Sequence, residues 1–117
     1  VAAFLDDLED RGMSDDILLL VTGEMGRSPK KGRNGGTGHW SSLTPLLVAG
    51  GGLKMGRVIG ETDRDGGQPT TKQYLPEHLL ATVMQTVFDP TEARLQSGIP
   101  SDLMRMITAN EPIRELF

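Results

Sequence analysis

Cysteine is absent from the 117 residues, and the chain has only one Trp, one Tyr and three Phe. The missing cysteine excludes disulfide bonds, thiolate metal ligands and cysteine nucleophiles. The few aromatic residues predict a core built from Leu, Val, Ile and Met. A chain of this length forms one domain at most, and its core is small.

Long apolar runs are also missing, because no segment approaches the ~20 residues of a transmembrane helix. The sequence has no recognisable signal peptide. The formal net charge of −4 and the isoelectric point of about 5.1 leave no globally basic surface for nucleic acid. We therefore expect neither a membrane span nor a nucleic-acid partner. The chain starts at Val1, inside a helical pattern, so we expect a piece of a longer protein.

The first half of the chain predicts a helix followed by two strands. Apolar residues recur at helical spacing from Val1 to Leu8, and Gly12 stands where a glycine ends a helix. The apolar runs 17–21 and 45–49 predict strands buried on both faces. A parallel neighbour requires a crossover that is usually helical, and the linking loop has no helical pattern. The second strand is therefore predicted to run antiparallel to the first, in an α/β layered fold.

The second half predicts mostly helices. Short strands are predicted at 54–60 and 70–74, and Pro76 suits the first position of a helix. The apolar residues between Leu79 and Phe88 predict the buried stripe of that helix, with His78 on the opposite, exposed side. Further short helical segments are predicted at 91–96 and 102–107. They are followed by an apolar anchor formed by Ile113, Leu116 and Phe117.

The stretch from Ile17 to Gly52 contains almost every residue suited to chemistry. If its two strands are antiparallel, Glu24 at the end of the first and His39 before the second lie at the same edge of the sheet. Ligands of open α/β sheets bind outside the carboxyl ends of the strands. A carboxylate and an imidazole there can bind a divalent metal or exchange protons. The alternative is an ion-paired Glu24 and a hydrogen-bonded His39 with structural roles only.

A basic run begins three residues after Glu24. Four of the 12 basic residues fall within seven positions, interleaved with glycine, with no acid among them: Arg27, Lys30, Lys31 and Arg33. Glycine backbone can approach an anion closely, and arginine binds oxyanions bidentately, so this run predicts an anion site. The alternative is a mobile, solvated loop. Trp40 either lines the same site, stacking on a sugar or base, or anchors the core.

The order of several motifs resembles a known family. The segments VTGEMGRSP, NGGTGHW, PLLVAGGGLKMGRVIGETD, LPEHLLATVMQTVFDP and EPIREL resemble the C-terminal part of domain of unknown function family 1501. Its members are sulfatase-like proteins assigned to the alkaline phosphatase superfamily. The resemblance covers nearly the whole chain, and its specific parts are Gly-Glu-Met-Gly-Arg and Gly-His-Trp. The chain is therefore expected to be a single partial domain, residues 1–117, at the C-terminal end of a larger one.

This resemblance implies a three-layer α/β/α domain with a mostly parallel sheet and an antiparallel strand near residues 45–49. It also implies a metal-dependent hydrolase of sulfate or phosphate esters, acting on a small molecule or glycan in a secreted or periplasmic setting. By position, Glu24 and His39 resemble metal ligands for Zn, Ca, Mg or Mn. Arg27, Lys30 and Trp40 are then the expected contacts to the substrate.

The same resemblance leaves a second function open. Met25 stands where the superfamily has a metal-binding histidine, and a thioether is a poor ligand for such ions. A non-catalytic module that binds an anion or glycan is therefore the alternative. The superfamily's nucleophile lies in a part outside these residues, so the chain alone is expected to be inactive. A partial sheet also exposes strand edges and apolar faces, from which we expect self-association.

Overall fold

The computed structural model describes all 117 residues, which form two compact units. Unit 1 comprises Val1–Leu18, Gly50–Gly56 and Tyr74–Phe117, and unit 2 comprises Leu19–Ala49 and Arg57–Gln73. Unit 1 has five basic and twelve acidic residues, whereas unit 2 has seven basic and four acidic residues. The formal charge is therefore −7 on unit 1 and +3 on unit 2, although the whole chain carries −4.

All helices belong to unit 1. They are α1 (Ala2–Asp10), α2 (Pro76–Val87), α3 (Pro90–Leu95), α4 (Ser101–Thr108) and a 3-10 helix over Arg114–Leu116. The predicted end of α1 is confirmed, because Gly12 has a φ of 68° directly after the last turn. Pro76 opens α2 as predicted. Asp89 caps α3, and its hydrogen bonds from the backbone N–H groups of Thr91 and Glu92 lower the pKa of its carboxyl group.

The core of unit 1 lies where the C-terminal helices meet. Ile107 of α4 is fully buried, and α4 packs against α2 and α3. Thr82 of α2 is a buried polar residue, and its hydroxyl donates to the carbonyl of His78 and accepts from the backbone N–H of Ile113, both at 2.8 Å. This hydroxyl fastens the C-terminal segment to α2. Of the predicted anchor, Ile113 and Leu116 are buried, whereas Phe117 is exposed.

The predicted orientation of α2 is confirmed only in part. The predicted apolar stripe is half-buried at Leu79, Val83 and Met84 and exposed at Leu80, Val87 and Phe88. The fully buried residues, Ala81 and Thr82, lie on the polar side. The polar side is buried because its hydroxyl and amide groups bind backbone groups of α4 and of the segment around Ile113. Gln85 Nε2, for example, donates to the carbonyl of Ile107 at 3.2 Å. None of the helices is both long and apolar enough to cross a membrane.

The strands form two separate pairs. They are β1 (Leu18–Thr22), β2 (Gly26–Arg27), β3 (His39–Trp40) and β4 (Leu46–Gly50), with β1 paired to β4 and β2 paired to β3. Strands β1 and β4 run antiparallel, because Gly50 lies beside the carbonyl of Ile17 while the Thr22 hydroxyl reaches the carbonyl of Pro45 at 3.4 Å. The antiparallel prediction is thus confirmed, and the fold is mixed α/β.

The expected mostly parallel sheet is not present. Both sheets are two-stranded antiparallel pairs formed within residues 18–50. This segment contains no helix, and parallel strands usually need a helical connection between them. The strands predicted at 54–60 and 70–74 are also absent, and an isolated bridge joins Thr62 to Pro69. Neither β1 nor β4 is buried on both faces, since Val21, Leu46 and Leu47 are exposed. Self-association through such residues stays a prediction.

Candidate functional site

The β2–β3 hairpin of unit 2 contains most of the predicted site residues. Gly26 pairs with Trp40, and Arg27 pairs with His39, in antiparallel register. Gly26 is buried, and a Cβ atom at this position would overlap the carbonyl oxygen of Leu43. The close approach of these two backbones therefore requires glycine at the start of the hairpin.

Arg27 and His39 are direct neighbours across this hairpin. The backbone N–H of Ser28 donates to the carbonyl of Gly38 at 2.9 Å, which makes Ser28 and Gly38 a hydrogen-bonded pair. Hydrogen-bonded and non-hydrogen-bonded residue pairs alternate along an antiparallel strand pair, so Arg27 and His39 form a non-hydrogen-bonded pair. The Cα atoms of such a pair lie ~4.5 Å apart, and the two side chains are on one face. Both residues are exposed. The register thus places a guanidinium next to an imidazole.

Trp40 belongs to the opposite face of the hairpin and has a structural contact. Its indole Nε1 donates to the carbonyl of Gly67 at 2.7 Å, and the ring is half-buried. Asp63 holds the same turn, since its carboxylate accepts from the N–H of Gly67 at 2.7 Å. The side chain of Pro29 also faces this turn at Gly66 and Gly67. Trp40 therefore joins the hairpin to the turn at 63–67.

The loop between β2 and β3 carries the remaining cations. Lys30, Lys31 and Arg33 are exposed, and their side chains form no ion pair or hydrogen bond. Two short turns shape the loop: Ser28 Oγ accepts from the N–H of Lys30 at 3.2 Å, and the N–H of Gly32 donates to the carbonyl of Gly36 at 2.7 Å. No carboxylate occurs from Met25 to Gly60, so the positive charge has no counterpart along this segment.

Glu24 lies in the bend between β1 and β2 and is exposed. No group of three or more His, Asp or Glu side chains comes together in the structure in a way that fits a metal ion. Glu24 and His39 alone fall short of the three protein ligands of a catalytic zinc site. A complete metal site that includes Glu24 and His39 would therefore need further ligands from outside these residues.

A second cluster of polar groups lies in unit 1. The hydroxyl of Tyr74 donates to the carboxylate of Glu115 at 2.5–2.6 Å, and this hydrogen bond, together with burial and nearby carboxylates, raises the pKa of Tyr74 to about 12. The Tyr74 ring packs edge-on against His78, with ring centroids 5.7 Å apart. His78 Nδ1 in turn accepts from the N–H of Leu75 at 2.9 Å, which satisfies a backbone donor at the start of α2.

The sequence pattern did not indicate the pairing of Arg27 with His39. Strands of two residues have no periodicity, and the only available signals were Gly26 before Arg27 and the glycines of the loop. The contact from Trp40 to Gly67 was missed as well, because its partners are 27 residues apart.

The family model described as "Protein of unknown function (DUF1501)" matches residues 1–116. No curated protein matches the chain. No solved structure matches it either.

Proposed function

The chain belongs to the DUF1501 family, and from this premise we propose that it supplies the anion-recognising part of a hydrolase of sulfate or phosphate esters. The sulfatase-like, alkaline-phosphatase-like assignment of the domain is part of this proposal. The substrate is a sulfate or phosphate ester of a small molecule or glycan. The ester's anionic group lies against the β2–β3 hairpin, and the nucleophile comes from outside these 117 residues.

The concentration of positive charge on the hairpin carries this proposal. Arg27, Lys30, Lys31 and Arg33 lie in a segment without carboxylates, and their side chains have no partners. Several unpaired cationic side chains close together in the sequence attract an anionic group and hold it by charge-assisted hydrogen bonds. A sulfate or phosphate ester carries such a group before hydrolysis, and the sulfate or phosphate product carries it after the alcohol has left.

A divalent metal is the second part of the proposal. Glu24 and His39 are the residues that would contribute to holding it, with further ligands from outside this chain. When bound, a divalent metal polarises the ester oxygen and activates a nucleophile. The residues of this chain act at the anion: Arg27 and Lys30 bind and orient the sulfate or phosphate group. The isolated chain is expected to be inactive.

The test uses the full-length protein and two substrates, p-nitrophenyl sulfate and p-nitrophenyl phosphate. We expect bound divalent metal by elemental analysis and turnover of at least one substrate. His39→Ala should lower metal content and turnover by roughly tenfold or more, because losing a direct ligand costs at least as much as losing a residue that only hydrogen-bonds to a ligand. His78→Gln, which alters the only other histidine, is the control and should change neither. Wild-type protein without metal and without turnover would refute the hydrolase.

A second function is favoured by one observation. The direct neighbour of His39 is Arg27, a cation, rather than a carboxylate or another metal ligand. This arrangement suits a module that binds an anion or glycan without hydrolysing an ester. The two functions differ in turnover, because the module would bind sulfate or phosphate in the experiment above and release no p-nitrophenol.

A further inference from the structure

We propose that Arg27 and His39 form a binding site for a tetrahedral oxyanion, sulfate or phosphate, that works without a metal ion. This inference rests on the anion recognition proposed above and deepens it, since it names the two side chains that hold the anion. When no metal is bound, His39 then has a role other than that of a metal ligand.

The register of the hairpin provides the geometry. Arg27 and His39 are a cross-strand pair, with Cβ atoms ~4.5–5.5 Å apart on one face. Both side chains are exposed, and neither forms an ion pair or a side-chain hydrogen bond within the chain. Two adjacent donors are therefore available to the same ligand.

The chemistry of the pair favours an anion over a cation. A guanidinium offers a planar fork of N–H donors, and an imidazole offers one N–H when neutral and two when protonated. A sulfate or phosphate group has several acceptor oxygens, so the two side chains can bind it together. A divalent metal on His39 would instead lie beside the positive charge of Arg27, and the two like charges repel.

The surroundings of the pair reinforce this preference. Trp40, the next residue after His39, belongs to the other face, where its indole is bound to Gly67, so it does not cover the pair. Lys30, Lys31 and Arg33 in the loop add positive charge, and no carboxylate occurs in the sequence from Met25 to Gly60. We assign Lys31 and Arg33 a long-range role, attracting the anion, while Arg27 and His39 are the pair that contacts it directly.

The experiment is a titration of the whole chain with inorganic phosphate or sodium sulfate, in EDTA and at constant ionic strength, followed by NMR of the histidine side chains. The chain has two histidines, so His78 is an internal control. We expect the imidazole signals of His39 to move in a saturable way while those of His78 stay in place. Signals of both residues moving together, or His39 not moving, would overturn the proposal.

Two matched variants separate a specific contact from general charge. Arg27→Gln should weaken phosphate binding by roughly tenfold or more, because it removes charge-assisted hydrogen bonds. Arg33→Gln removes the same type of charge from the loop and should weaken binding by less than about threefold, because exposed charges at a distance are screened. Equal losses in both variants would refute a site centred on the pair.

The result is distinguishable from a failure of the proposed hydrolase. Phosphate binding in EDTA with the expected variant effects, but no ester turnover by the full-length protein, would refute the hydrolase and support the site. Conversely, ester turnover with metal bound, but no effect of Arg27→Gln on phosphate binding in EDTA, would overturn the site and leave the hydrolase standing.

Discussion

Thr82 offers the sharpest test of how the helical unit is held together. Its side chain is 1% exposed, and its hydroxyl bridges the carbonyl of His78 and the backbone N–H of Ile113. Thr82→Val keeps the shape of the side chain but removes the acceptor for the Ile113 N–H. Leaving a buried donor unsatisfied costs about 1–3 kcal/mol. The free energy of unfolding of a small domain is only ~5–15 kcal/mol, so this loss is large.

The measurement is urea unfolding of wild type, Thr82→Val and Thr82→Ser. With a urea slope of about 1.5 kcal/mol per molar, the valine variant should lower the midpoint by roughly 0.7–2 M. The serine variant retains the hydroxyl and loses one buried methyl group, at a cost of ~1 kcal/mol. The loss of ~1 kcal/mol expected for the serine variant equals the smallest loss expected for the valine variant. The free energy of unfolding alone therefore does not separate the two variants.

Hydrogen exchange of the Ile113 amide separates them. Thr82→Ser retains the acceptor, so the amide of Ile113 should remain protected from exchange. In Thr82→Val that protection should fall, because the N–H has no protein partner left. A valine variant as stable as wild type, with Ile113 still protected, would show that the hydroxyl does not fasten the C-terminal segment to α2.

Two further predictions concern single side chains. The pKa of Tyr74 is raised to about 12 in the folded chain from 10.0, so its contribution to stability is complete below pH ~10 and is lost as the pH rises towards 12. Urea midpoints of wild type should therefore fall more steeply over this range than those of Tyr74→Phe, and parallel pH profiles would contradict this. Trp40→Phe removes the hydrogen bond to Gly67, worth about 1 kcal/mol, and should speed amide exchange of Asp63 and Gly67 roughly fivefold. Unchanged exchange would show that the indole N–H does not stabilise the turn.

Local signals in the sequence predicted the helices well. Gly12 after α1 and Pro76 at the start of α2 act through backbone geometry within a few residues. Such signals do not depend on the rest of the chain, and the structure places helix ends at these positions. The antiparallel order of β1 and β4 was also predictable, since it followed from the lack of a helix in the loop between them.

Long-range contacts were the part that the sequence did not reveal. Apolar spacing alone favoured the face of α2 that contains Leu80 and Val87, but backbone groups near Ile107 and Ile113 need polar partners, and Thr82 and Gln85 provide them. Likewise, the residue types identified Arg27 and His39 as candidates. Their adjacency depends on the register of a two-residue strand pair, and no periodic pattern encodes that register.

The uneven charge of the two units has a consequence for the behaviour of the protein in solution. The isoelectric point near 5.1 is an average over two units of different charge. Unit 2 has seven basic and four acidic residues and stays positive at this pH, while unit 1 contains most of the carboxylates. At its isoelectric point the protein has zero net charge, but its surface still carries regions of positive and negative charge. Repulsion between molecules is weakest at that pH, while opposite charges on neighbouring molecules still attract. Colloidal stability at low salt is thus governed by charge distribution rather than by net charge.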